Sequence, residues 1–214
     1  MSKVTITIIF VFFVIYLFWQ AMKNFQLKSL NNSIAKNDIE TTIKLTDMAT
    51  SRRFLGEYTC DMYKLKAYYI SNDMHEFDKM ICYITQKQYK GNPDKKSLIE
   101  QYYHRFLING NREQAEILLD NIKKMGDDSF TLYNEQSFSV MLDNKTDLIK
   151  PIIDEINSKK YYGFPLGVML FMLARQYELM GDKQNADTYY ENAKVCFHPK
   201  AIYMPLVLKH INKS

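Results

Sequence analysis

The side chains able to do acid–base, nucleophilic or metal chemistry are few and scattered. The four histidines, His75, His104, His198 and His210, form no HExxH pair, the helical spacing that sets two imidazoles on one zinc ion. Cys196 and His198 stand close in sequence, but two ligands do not close a metal site, and a residue pair at a helix end accounts for them. With Cys60 and Cys82 they make three cysteines at wide spacing, which argues against a disulfide framework and for a reducing compartment. There is no glycine-rich phosphate loop and no Gly-x-Ser-x-Gly elbow. Acidic pairs such as Asp127–Asp128 and Asp154–Glu155 suit helix caps or solvated faces, because general acid–base work needs a second group converging from elsewhere. No catalytic residue, metal site or cofactor is assigned on this basis. An enzyme whose site leaves no local signature is kept as an alternative.

The elements that would have to position any site are helices. The chain has 214 residues, 47% of them hydrophobic and 24% charged, which is ordinary for a folded protein. Only 7 Gly and 5 Pro leave few places for tight turns, so an all-α fold with short polar connections is expected. A formal net charge of +4 is spread along the chain, and Lys159–Lys160 and Arg52–Arg53 are isolated pairs rather than a basic stripe. Nucleic acid is therefore not an expected partner.

Residues 4–22 are expected to be a transmembrane anchor, after a short flank over residues 1–3. The stretch from Val4 to Trp19 carries no charge, and the apolar run continues through Ala21 and Met22 to Lys23. At ~1.5 Å per residue, about nineteen residues cover ~28 Å, the thickness of a bilayer's hydrocarbon core. A cleaved signal peptide competes, but the run exceeds the usual core of such peptides, and Trp19 and Ala21 do not make a small-x-small cleavage site. Tyr16 and Trp19 suit the interfacial belt. Lys3 precedes the span whereas Lys23, Lys28 and Lys36 follow it, so the positive-inside tendency favours a cytoplasmic main domain. An extracytoplasmic domain is the competing topology.

Beyond the anchor, turn signals recur at Asn37–Asp38, Asn72–Asp73, Gly110–Asn111, Asn144–Lys145 and Gly181–Asp182, at spacings of 35, 38, 34 and 37 residues. Such a period, with one turn per unit, marks a solenoid of helical hairpins. Gly and Asn tolerate the left-handed conformation that ends a helix, and a following Asp or Asn can cap the next one. Ile99, Tyr103, Phe106 and Leu107 before the third turn, and Ala115, Leu118, Leu119 and Ile122 after it, keep helical spacing. Nine or ten helices are expected. The stretch 88–97, with Gly91 and Pro93, is the clearest break, and Ser97 is expected to cap the helix after it. Residues 200–214 are expected to form a capping helix, starting at or before Pro205, and a tail.

Within residues 164–199, Leu170, Leu173, Ala174, Tyr177, Gly181, Ala186, Tyr190 and Ala193 fall on successive positions of one pattern. Here the sequence resembles the tetratricopeptide repeat family, and the repeat around Gly110 keeps Tyr102, Tyr103, Phe106, Gly110 and Ala115 of the same pattern. The resemblance implies an all-α, right-handed solenoid of about four to five α-α hairpins over residues 23–199, behind the one transmembrane helix. It implies that Leu173, Ala174, Tyr177, Gly181, Ala186, Tyr190, Ala193, Gly110 and Ala115 pack the repeats. It also implies a concave, peptide-binding face lined by Met62, Lys66 and Tyr69, then Glu100 and His104, then Asn134, Phe138 and Met141, then Phe171, Arg175 and Glu178. Packing between helices gives those residues the same periodicity, so either role fits them.

The function expected from these features is a membrane-anchored, non-catalytic adaptor that binds a protein or peptide partner on its concave face. A self-associating structural membrane protein is the alternative from another class.

Overall fold

The computed structural model describes residues 3–212. Positions 1–2 of the expected flank and 213–214 of the expected tail lie outside the described residues. Among the described residues there are twelve helices and no strand. The chain divides into two compact units, the first ending at Lys95 and the second beginning at Lys96.

Unit 1 is built on α1 (Lys3–Ala35), one unbroken helix of 33 residues. It is long and apolar enough to cross a membrane, and its large apolar side chains from Val4 to Phe18 are exposed. The same helix then turns inward. Gln26, Leu30 and Ser33 are buried at a spacing of four and three residues, which keeps them on one face. That face packs on α2 (Ile39–Asp47) and α3 (Ala49–Leu55); α2 and α3 pack on α4 (Glu57–Ile70), and α4 packs on α5 (Met74–Gln86). No break separates the apolar segment from the first domain helix at Lys23. The short α3 has no counterpart in the expected hairpins. It exists because Met48 is extended at φ −64°, ψ 133°, and because Gly56, at φ +85°, ends it.

The core of unit 1 holds Leu30, Cys60, Leu65, Ala67, Phe77, Ile81 and Ile84. Burial pushes the Cys60 thiol up to about 11, which makes it a packing residue rather than a nucleophile. The polar residues of the interior are paired, with Ser51 donating to Gln26 at 2.9 Å and Thr42 to Ser33 at 2.8 Å.

Unit 2 contains α6 (Lys95–Asn109, from its second residue), α7 (Arg112–Lys124), α8 (Asp128–Met141), α9 (Ile149–Asn157), α10 (Gly163–Leu179), α11 (Lys183–Cys196) and α12 (Met204–Ile211). The pair α10 and α11 is the most extensive helix contact; α8 packs on α7 and α10, α9 on α10, and α12 on α11. Ser97 lies inside the first turn of α6 rather than capping it, because the helix already begins at Lys95. Pro205 occupies the first turn of α12, where its missing N–H costs nothing.

All five turn positions read from the sequence have positive φ: Asn37 56°, Asn72 58°, Gly110 72°, Asn144 53° and Gly181 78°. Four share one hydrogen-bond motif. The amides of Asp38, Asp73, Asn111 and Asp182 each return to the carbonyl five residues earlier, at Ser33, Tyr68, Phe106 and Tyr177. This is the Schellman closure of a helix C-terminus. Asp38, Asp73 and Asp182 then accept from the amides of Thr41, Glu76 and Asn185, opening the next helix. The turn at Asn144 differs, since its neighbour Lys145 returns to Ser139 and a longer connection precedes α9. A fourth side-chain cap, Asp127 accepting from Phe130, starts α8 away from the five turns read from the sequence.

Candidate functional site

Eight of the eleven residues expected to bind a peptide lie in unit 2. His104 on α6 is completely buried, and its two ring nitrogens each meet a tyrosine hydroxyl: Nδ1 to Tyr203 at 2.8 Å and Nε2 to Tyr133 at 3.1 Å. A neutral imidazole carries one donor and one acceptor, so it matches two hydroxyls without a charge. Burial lowers its pKa to about 3, which fixes the neutral form near pH 7. The hydroxyls of Tyr133 and Tyr203 are held protonated by the same burial.

Tyr203 belongs to the connection just before α12. Its ring stands edge-on to Phe171 at 4.8 Å and stacks on Phe197 at 5.5 Å. The segment before α12 is therefore part of the core of unit 2. His104, Asn134 and Phe171, expected to line a groove, are buried, and Tyr203 packs on His104 and Phe171. Asn134 serves the helices themselves: its carbonyl accepts from Tyr103 at 2.7 Å, and its amide donates to the Phe130 carbonyl at 2.8 Å.

The other expected groove residues are partly open. Phe138 lies under the Arg112 guanidinium at 5.1 Å, and Met141 sits at the edge of the core. Arg175 pairs with Glu178 at 3.3 Å, and Glu178 also accepts from Tyr190 at 3.0 Å and pairs with His210 of α12 at 2.9 Å. Glu178 therefore ties α10 to both α11 and α12. Glu100 lines a cavity of about 310 Å³ together with Ser97, Gln101, Arg105, Phe164 and Ile202. In unit 1, Lys66 is exposed, Met62 half-buried, and Tyr69 is tilted against Phe77 at 5.8 Å. The residues expected to pack the repeats are placed as follows. Leu173, Ala174, Ala186, Tyr190, Ala193 and Ala115 are buried, Tyr177 stacks on Tyr189 at 5.5 Å, and Gly110 and Gly181 form turns.

Unit 1 holds a polar cluster that sequence reasoning missed. Asp61, in the second turn of α4, is only 1% exposed. It pairs with Arg52 at 3.1 Å and Lys87 at 3.3 Å, and accepts from the Tyr89 hydroxyl at 2.9 Å. Lys87 also reaches Glu57 at 3.0 Å, while Asp47 takes Lys64 at 2.8 Å and Arg52 at 3.3 Å. Burial works against the charge on Lys87, yet the Tyr83 hydroxyl, Glu57 and Asp61 together raise its pKa. The available signal was an aspartate beside Cys60 and four residues before Leu65, on the apolar stripe of a helix.

Next to this cluster, α3, the start of α4 and the segment 88–93 enclose a cavity of about 630 Å³. Arg52, Arg53 and Lys90 stand on its walls against one carboxylate, Glu57. Gly56 brings no side-chain cap to α4, and Glu57, Tyr58 and Thr59 of its first turn line the same cavity.

No protein-family model matches the chain, and no curated protein or solved structure shows significant similarity to it.

Proposed function

We propose that the chain is a single-pass membrane-anchored scaffold of tetratricopeptide-like helical hairpins, which binds a protein partner without catalysis. The observation that carries this reading is α1. From Val4 to Trp19 it exposes uncharged, mostly apolar side chains over most of the thickness of a bilayer's hydrocarbon core, and its second half is packed into the core of unit 1. A span joined to its domain by a continuous helix holds that domain at the membrane surface, which raises its effective concentration for partners there. The hairpin array is supported by the repeated Schellman turns and by their regular spacing. The excess of lysines after the span favours a cytoplasmic domain.

The partner surface in this reading is not the buried set of His104, Asn134 and Phe171 but the cavity lined by Gln101 and Arg105 of α6 with Phe164 and Ile202. Polar and apolar groups together suit a peptide segment. The test is a photo-crosslinking residue placed at Gln101 of the full chain in its own membranes, with one at exposed Lys124 as the reference. A discrete adduct with another protein at Gln101 alone is expected. An adduct of two copies of the chain would replace the scaffold by self-association, and no adduct would refute this surface.

A further inference from the structure

The basic cavity of unit 1 is not used by the scaffold reading, and its position gives it a ligand. Phe54 lies between Arg53 and Leu55, both on the cavity wall, and its ring meets Trp19 of α1 at 4.8 Å and Phe18 at 6.5 Å. Trp19 stands near the end of the apolar run, where an indole favours the level of the lipid headgroups. The cavity wall is therefore brought to that level by direct contact with the span.

The charges there are not used up by the fold. Asp61, beneath the cavity, is already met by Arg52, Lys87 and the Tyr89 hydroxyl, and Glu57 on the wall is paired with Lys87. Arg53 and Lys90 are exposed, and neither makes an ion pair or hydrogen bond with another described residue, although Lys90 adds to the positive field on Glu57. They come from different segments, α3 and the connection after α5, and line one cavity. Two unpaired cations on a cavity of about 630 Å³ fit a phosphate-bearing group larger than a single ion.

We propose that this cavity binds the headgroup of an anionic phospholipid from the adjoining leaflet, with Arg53 and Lys90 as its counter-charges. The inference rests on the reading of residues 4–22 as a membrane span. Bound there, the lipid fixes the depth and tilt at which unit 1 sits on the bilayer, because α3 is held between the headgroup and Trp19.

The test uses the full chain purified in mild detergent, offered equal amounts of phosphatidylglycerol and phosphatidylcholine with matched acyl chains, with bound lipid counted by native mass spectrometry. Preferential retention of phosphatidylglycerol is expected. The double variant Arg53→Gln, Lys90→Gln should lower that preference by about twenty-five-fold, since each basic residue near an anionic surface contributes about five-fold. The charge-conserving pair Arg53→Lys, Lys90→Arg should keep most of it, which separates loss of charge from loss of fold. Equal retention of both lipids by the unmodified chain overturns the proposal. So does tight binding of glycerol 1-phosphate with no lipid preference, which would make the cavity a site for a soluble phosphate ester. Alkaline carbonate extraction of cell membranes is run beside it. Release of the protein overturns the span and the headgroup site together, whereas retention without lipid preference overturns the headgroup site alone.

Discussion

His104 and Asp61 are buried by opposite means, one by losing its charge and the other by being surrounded with cations. His104 is held neutral by burial, its pKa lowered from 6.5 to about 3. A histidine depressed in this way contributes stability that is complete above the unfolded value and is lost as pH falls toward the folded one. Between pH 6.5 and 5 the full chain should therefore lose about 1.4 kcal/mol per pH unit through this residue. His104→Gln should flatten that part of the profile in urea titrations, while lowering stability near pH 7 because it cannot reach both tyrosine hydroxyls. Asp61→Asn should cost about 3 kcal/mol in the same titration, since it leaves Arg52 and Lys87 without the carboxylate between them. An unchanged midpoint would show that those cations find water instead. Neither residue announces its role in the sequence. The partners of Asp61 stand 9 to 28 residues away, and Tyr203 reaches His104 across 99. Only a folded chain brings them together, and a lone histidine or aspartate at helical spacing looks like any other position of the stripe.

At the scale of the element, what was legible was local. The five turn residues and the three capping aspartates after them follow from local sterics and hydrogen bonding within a few residues, and each turn residue occupies the expected left-handed position. Gly181→Ala, at φ +78°, should cost about 1 kcal/mol by strain in the turn, and Asp182→Ala about 1 kcal/mol by loss of the cap to Asn185. What escaped was the role of a helix's inner face. Groove and interior positions share one periodicity, and packing decided between them for His104, Asn134 and Phe171, the first and last of which meet Tyr203. Gly167 belongs to that decision. It lies inside α10, where helix propensity gives no reason for a glycine, and a Cβ there would stand 2.6 Å from the Phe197 ring. Gly167→Ala should displace Phe197 from its stack on Tyr203 and cost about 1–3 kcal/mol, despite the better propensity of alanine. A stabilised protein in thermal unfolding would mean that Phe197 is not held there. Likewise, α3 was not foreseen, because its boundaries depend on the extended Met48 and on Gly56 rather than on an apolar period.

At the scale of the molecule, the chain consists of an apolar helix continuous with one compact unit and a second compact unit with its own core. The second runs from the α6 helix to the α12 helix and encloses the His104 cluster, so it contains the contacts that its fold requires. Residues 96–214 expressed alone should give a soluble, helical protein that unfolds cooperatively; a molten or insoluble fragment would mean that the division is not one of stability. The central claim concerns the other end of the chain, that residues 4–22 are retained and cross the membrane. The measurement that reaches it most directly is mass spectrometry of the protein recovered from cell membranes washed with alkaline carbonate. Peptides covering residues 4–22 are expected in the washed membrane fraction. A mature chain beginning beyond Trp19 and recovered from the soluble fraction would identify the segment as a cleaved signal and contradict the anchor.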